Sequence, residues 1–273
     1  MMASRSKPFQ IWLYGSAIAL LCAWVLLPIF LVGLGAFGGR SAVYQWPKSL
    51  WPSSMSFDQL ALFLKIEGVW MATLNSLIAA SLTMGFALAL GAPAGYALAR
   101  FSFRGASLFR IMILLTRAFP LAILALPLTV LFIKAGLYDT AFGVSLVHTA
   151  LALPFATLIT ASLFAGIPRE LEEAAWVFGC TRWQAFVKVV LPLALPGMAA
   201  AAIFAFVISW NEVFAASVLT VQQRTLTAYL LTVLSESPLH YRFAGGFILI
   251  VPSVIFIFAV RRYLFALWGV TSR

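Results

Sequence analysis

Four polar side chains stand in stretches of sequence that are otherwise apolar: Asn75, Arg117, Asn211 and Glu212. An ionised group at the centre of such a stretch costs about 2.5–3.5 kcal/mol on membrane-insertion scales, so it needs a polar cavity or a partner. Two uses compete. Carboxylate and amide groups exchange hydrogen bonds with hydroxyls, so Asn211, Glu212 and Asn75, with Arg117, would line a path for a polar solute. Alternatively they bond helix to helix, Arg117 to Glu212 and Asn75 to a neighbour. A second concentration of charge is of another kind. Glu170, Glu172 and Glu173 place three of the chain's eight acidic residues within four positions. They follow Pro168, a residue favoured in a first helical turn, so their charge sits at the positive end of a short helix.

Other chemistries lack their residues. His148 falls in an apolar stretch and His240 in a polar segment, and neither has a partner at the spacing of a zinc site or an activated nucleophile. Cys22 and Cys180 match no disulfide or metal pattern. No glycine-rich loop is followed by Lys-Ser/Thr, so the chain does not cradle a nucleotide phosphate by that route. The expectation is a protein without a catalytic site, metal or cofactor of its own.

The elements that position these residues follow from composition. Of 273 residues 63% are hydrophobic and 10% charged, and the mean hydropathy is +1.02. Soluble domains carry about 25% charged residues, and disordered chains are poor in apolar ones. The fold class is therefore an all-α membrane protein. The net charge of +10 does not make nucleic acid a partner, because the 18 Lys and Arg are dispersed between apolar blocks rather than gathered on a face.

Uncharged stretches place six transmembrane helices, roughly at 11–37, 71–99, 108–133, 141–165, 191–220 and 243–266, in one domain over 1–273. Each is long enough for a hydrocarbon core of about 30 Å. The first resembles a signal peptide in its basic start, Arg5 and Lys7, but is longer than a signal's apolar core and reads as an uncleaved anchor. With the N-terminus inside, eleven of the 18 basic residues fall in cytoplasmic segments and six in outer ones. That bias puts both termini in the cytoplasm. Pro28, Pro93, Pro120, Pro127, Pro154, Pro196 and Pro252 bend the spans, which serves a bundle that moves.

Residues 168–190 break the pattern. Ala174 and Ala175 extend the acidic helix with little bulk. Gly179 suits a left-handed cap, and Thr181 with Gln184 matches a capping box for a second helix. Trp183, Phe186, Val187 and Val190 give that helix an apolar stripe. The result is a helix–turn–helix on the cytoplasmic face, the first helix presenting small and acidic residues outward.

Glu173-Ala174-Ala175, then Gly179, then Val189-x-Leu191-Pro192 resembles the EAA motif of type I ABC importer permeases, with Val189 where the family has Ile. Thr116-Arg117-Ala118-Phe119-Pro120, Leu137-Tyr138-Asp139-Thr140, Ser209-Trp210-Asn211-Glu212 and Arg261-Arg262-Tyr263-Leu264 resemble stretches of the smaller permease of the maltose-type, carbohydrate subfamily. The family's longer glycine-rich tail is replaced by Trp268–Arg273.

The resemblance implies a type I importer permease fold with a cytoplasmic coupling helix in the bacterial inner membrane. Glu172, Glu173, Ala174, Ala175, Gly179, Trp183, Leu191 and Pro192 would meet an ATPase. The implied partners are a second permease chain, two cytoplasmic ATPase subunits that use ATP and Mg, an extracytoplasmic solute-binding protein, and membrane lipid. The solute would be a sugar, with a polyol, sulfonated sugar or glycerophosphodiester as alternatives. An ion-coupled secondary carrier would need an internal repeat, which the chain lacks, and no docking helix.

Overall fold

The computed structural model describes residues 7–47, 51–52, 54–232, 235 and 237–267. Arg5 and the terminal segment 268–273, both used in the sequence reading, lie outside them. Among the described residues all regular structure is helical. Cα packing divides the chain into two compact units, Met1–Ile66 with Leu234–Ile250 and Glu67–Val233 with Val251–Arg273.

The first unit is built on α1 (Lys7–Phe37), α2 (Gly39–Tyr44), α3 (Asp58–Lys65) and the start of α13 (Leu239–Leu267). The apolar body of α1 is unburied, with Trp12 80% and Trp24 79% exposed. A helix apolar on every face and covered by no protein belongs in lipid. Its last turns pack on α13. Gly35 lies under the Phe243 ring, where a Cβ would come within 2.6 Å, and Phe37 meets Phe247 edge-on at 4.8 Å.

The second unit holds α4 (Val69–Arg100), α5 (Ala106–Leu115), α6 (Leu121–Lys134), α7 (Ala141–Ala165), α8 (Glu170–Val177), α9 (Arg182–Ala185), α10 (Leu191–Asn211), α11 (Phe214–Leu219) and α12 (Leu226–Thr232). Its core is α4 against α7 against α10, joined by small residues. Ala79, Ala80, Ala87, Ala152, Ala156 and Ala205 are buried, and the Thr160 hydroxyl donates to the Gly91 carbonyl at 2.9 Å. Lipid tails are as apolar as leucine, so helices in a membrane gain from close backbone approach rather than from bulk. Gly95 is the tightest point. A Cβ there would meet the Ala161 nitrogen at 2.7 Å and the Thr157 carbonyl at 2.8 Å. Gly95→Ala is expected to wedge α4 from α7 and cost about 1–3 kcal/mol, read as a lower unfolding temperature in detergent. Gly85→Ala, whose Cβ meets nothing within 4 Å, should leave that temperature unchanged.

Among the described residues, five helical stretches are long and apolar enough to cross a membrane: Trp12–Phe37, Val69–Arg100, Ala141–Ala165, Arg182–Asn211 and Leu239–Phe258. The expected third span is not one helix. A 3-10 turn at Thr116–Ala118 ends its first half, and the two halves, Ala106–Ala118 and Leu121–Lys134, meet at 82°. Pro120 has no N–H and drives Phe119 out of the helical region, to ψ 120°, so the ladder stops there. The expected fifth span, 191–220, also breaks. It ends at Asn211, Glu212 is extended, and α11 restarts at Phe214. No proline or glycine stands at that break; a side chain makes it, as described below. At its other end this span begins early, because α9, a π-turn at Phe186–Val190 and α10 run on as one stretch. Pro192 denies the Lys188 carbonyl its usual donor, and the wider turn falls where that defect lies.

Candidate functional site

The segment after α7 forms as a pair of short helices with fixed ends. Glu170, Glu172 and Glu173 occupy the first turn of α8. The chain then closes in a Schellman turn: Cys180 N donates to Ala175 O at 3.0 Å and Gly179 N to Trp176 O at 2.9 Å. Gly179 sits at φ +87°, a conformation that a Cβ disfavours. The Thr181 hydroxyl accepts from Gln184 N at 3.2 Å, and the Gln184 side chain accepts from Thr181 N at 2.9 Å. Two caps therefore define a sharp corner through local bonds.

The faces of α8 differ from the expectation of an outward row of small and acidic residues. Glu173 and Ala174 are exposed, as is Trp183 on α9, and Leu191 is half-buried ahead of an exposed Pro192. Glu172 and Ala175 are turned inward, 2% and 8% exposed. Three positions along a helix bring a residue back to the same face, so Glu172 and Ala175 share the buried side and Glu173 the open one. Glu172 accepts from the Tyr96 hydroxyl at 2.6 Å and is ion-paired with Arg100. The open end carries Val177 and Phe178, 85% and 88% exposed. Sequence reasoning passed over both, although two large apolar residues just before a capping glycine at a polar corner mark an unsatisfied contact surface.

The four polar candidates are not brought together. Arg117 is not paired with Glu212: its guanidinium donates to Leu151 O at 2.6 Å and lies 5.2 Å from the Phe155 ring centre. Asn75 is buried and donates to Gln223 Oε1 at 3.2 Å and Arg224 O at 3.3 Å. It bonds a helix to a loop, where the sequence reading offers a solute path or a neighbouring helix. Glu212 accepts from the backbone N–H of Phe214, Ala215 and Ala216 at 2.9, 3.0 and 3.2 Å. Its carboxylate replaces the carbonyls these donors would otherwise need, and so creates the break between α10 and α11. The same carboxylate lies 3.1 Å from His148 Nε2, whose Nδ1 lies 2.7 Å from the Ser209 hydroxyl. His148 is fully buried. Asn211, like Arg117, is exposed, and its side chain donates to Val207 O one turn back at 3.0 Å.

One functional-looking residue was legible only as a turn. Asp139 adopts φ +57°, and its Oδ1 accepts from the N–H groups of Val221, Gln222 and Gln223 at 2.8, 3.0 and 2.9 Å. Its own N–H donates to Leu219 O at 2.9 Å. The loop after α11 is thus fastened to the α6–α7 turn, to Asn75, and through Leu226 N to the Ser76 hydroxyl at 2.7 Å.

Comparison with known proteins agrees with this geometry. Residues 87–267 match the model of the family described as binding-protein-dependent transport system inner membrane component. The chain is 33% identical over 259 residues to the trehalose transport system permease protein SugB of Mycobacterium tuberculosis, covering 93% of each. It is 30% identical over 273 residues to the arabinooligosaccharides transport system permease protein AraQ of Halalkalibacterium halodurans, covering 97% of each. Among solved structures, a chain of a bacterial ABC transporter involved in import of the acidic polysaccharide alginate superposes with a TM-score of 0.75 at 22% identity, over 96% of this chain and 98% of that one. That likeness carries the type I importer permease fold. The chain accordingly belongs to the binding-protein-dependent inner membrane component family, as a multi-pass, non-catalytic permease subunit of an ABC importer.

Proposed function

We propose that the chain forms half of the translocation path of an importer that carries a sugar or sugar-like solute into the cytoplasm by alternating access. A second permease chain would complete the path, two ATPase subunits would dock on segment 168–190, and an extracytoplasmic binding protein would deliver the solute. Both termini lie in the cytoplasm on this reading, since eleven of 18 basic residues then face inward, in keeping with the positive-inside bias. ATP and Mg act on the partner subunits.

The observation that carries the reading is the capped corner at Gly179. Glu173, Ala174, Val177, Phe178 and Trp183 are presented there, exposed, on a doubly capped turn. Such a surface suits insertion into a cleft of another protein. The saccharide assignment is supported by what the similar permeases are named for, trehalose and arabinooligosaccharide transport. Alternating access requires that the loaded binding protein and ATP favour one state over the other.

Affinity purification of the tagged chain in mild detergent tests the assembly. Recovery with a second permease and an ATPase is expected; recovery as a lone subunit would count against the importer complex. In proteoliposomes, the binding protein loaded in turn with trehalose, an arabinooligosaccharide and a sulfonated glycoside should stimulate ATP hydrolysis with one class and not the others. Stimulation by none of the saccharides would remove the solute assignment and leave the assembly standing.

A further inference from the structure

Glu172 lies in the docking segment but cannot touch a docked subunit, because it is 2% exposed. What it touches instead is the last turns of α4. Its carboxylate is ion-paired with Arg100 Nε, and both side chains are nearly closed to solvent, at 8% for Arg100 and 3% for Glu172. The Tyr96 hydroxyl donates to the other oxygen at 2.6 Å. Arg100 Nη2 donates to the Ile167 carbonyl at 3.0 Å, just before α8 begins. From the other side, Arg169 Nη2 donates to the Arg100 carbonyl at 3.2 Å. Tyr96 also packs its ring against Phe186 at 4.5 Å and Phe164 at 5.8 Å. The end of α4 and the start of α8, some seventy positions apart in sequence, are thereby joined by reciprocal bonds.

A buried charge pair adds little to net stability when an apolar pair of like volume would serve, yet removing one member is strongly unfavourable. Such a pair is directional, and it holds one arrangement of the two elements. A coupling segment has two mechanical routes to the bundle. One is covalent, back through residues 166–169 into α7 and forward through α9 and the π-turn into α10. The other runs through side-chain contact, and the buried Glu172–Arg100 pair is the charged contact that α8 makes with α4. Beyond it α4 packs on α7 through Gly91 and Gly95, with no space for slippage. A displacement of α8 is therefore passed to α4 and α7 together.

We propose that Glu172 is a positioning residue, which with Arg100 and Tyr96 forms a joint carrying movement of the docking helix to α4. The proposal rests on the reading of segment 168–190 as the ATPase-docking element, and its test separates the two.

Trypsin cleavage at Arg104, exposed in the turn just beyond α4, reports on the end of that helix without requiring a known solute. The purified wild-type complex is digested without nucleotide and after trapping with ATP and vanadate. The rate at Arg104 is expected to differ between the two states. In Glu172→Gln the ATPase should still co-purify, but the nucleotide dependence at Arg104 should shrink by about tenfold, the order expected when a coupling element is lost. Glu172→Asp, which keeps the charge, should restore part of it. A merely structural role would lower the yield of complex and leave the nucleotide dependence of the assembled fraction intact; that result overturns the joint, as does a wild-type complex with no nucleotide dependence at Arg104. Failure of the ATPase to co-purify with wild type overturns the docking assignment instead. Should Glu172→Gln not assemble, Tyr96→Phe removes one hydroxyl and keeps the ion pair, and an undiminished nucleotide dependence in that variant would overturn the proposal.

Discussion

Gly179→Asp is expected to reach the membrane at the wild-type level and to lose uptake by at least about tenfold, the scale of a coupling free energy between sites. The residue stands at φ +87°, and a Cβ built there meets nothing within 4 Å. The substitution thus clashes with no neighbour, and its intrinsic cost is backbone strain of about 1–2 kcal/mol. That strain falls on the Schellman turn that sets the angle between α8 and α9, and it brings a charge beside the exposed Val177 and Phe178. Quantitative immunoblotting of membranes with uptake by intact cells measures both halves of the expectation. Gly105→Asp is the matched control, since Gly105 has φ +90° and equally open surroundings but lies outside the docking segment. It should transport normally. Equal loss in both variants would show that strain alone is responsible and would remove Gly179 from the docking surface.

Asn211 and Glu212, adjacent in sequence, should give opposite phenotypes. Glu212→Ala strips the acceptor from three backbone N–H groups and leaves His148 without its carboxylate partner. Hydrogen bonds to a charged group contribute about 1.5–3 kcal/mol each, less where solvent can substitute. A net loss of about 2–4 kcal/mol is expected, seen as a lower unfolding temperature of the purified complex, with an unchanged KM for whatever uptake remains. Asn211→Ala removes an exposed amide whose one bond is within its own helix. It should unfold at the wild-type temperature and raise the KM for solute. A Glu212→Ala variant of normal stability and altered KM would return Glu212 to the path.

These opposite roles show where sequence reading succeeds and where it stops. The caps at Gly179 and Thr181 rest on properties of single residues or of residues three apart: an absent Cβ, a hydroxyl and an amide in reach of each other. Such features survive in any tertiary setting, and the helix–turn–helix was therefore legible with its ends. Pro120 signals a bend by its missing N–H, but the sequence reading keeps 108–133 as one span where the structure turns by 82°. The break at Glu212 has no such local cause. A glutamate in a helical run is ordinary until His148 from α7 and the N–H groups of α11 arrive to hold it. Nor does proximity in sequence say which side of α8 is open, which is why Glu172 was placed outward with Glu173 when it faces Arg100.

By itself the sequence determined a helical membrane protein, the places of its long apolar stretches, and a capped helical corner. Those follow from hydrophobic length and from local backbone chemistry, which act over a few residues. The tertiary structure alone decided how the scarce polar groups were used. Arg117 went to a backbone carbonyl and an aromatic face, Asn75 to a loop, Glu212 to a helix end, Asp139 to three N–H groups of a distant loop, and Glu172 to a buried joint. The physical reason is common to all five. A polar group in an apolar setting takes whichever complementary group the folded backbone brings within about 3 Å, and residue types alone do not say which group that is.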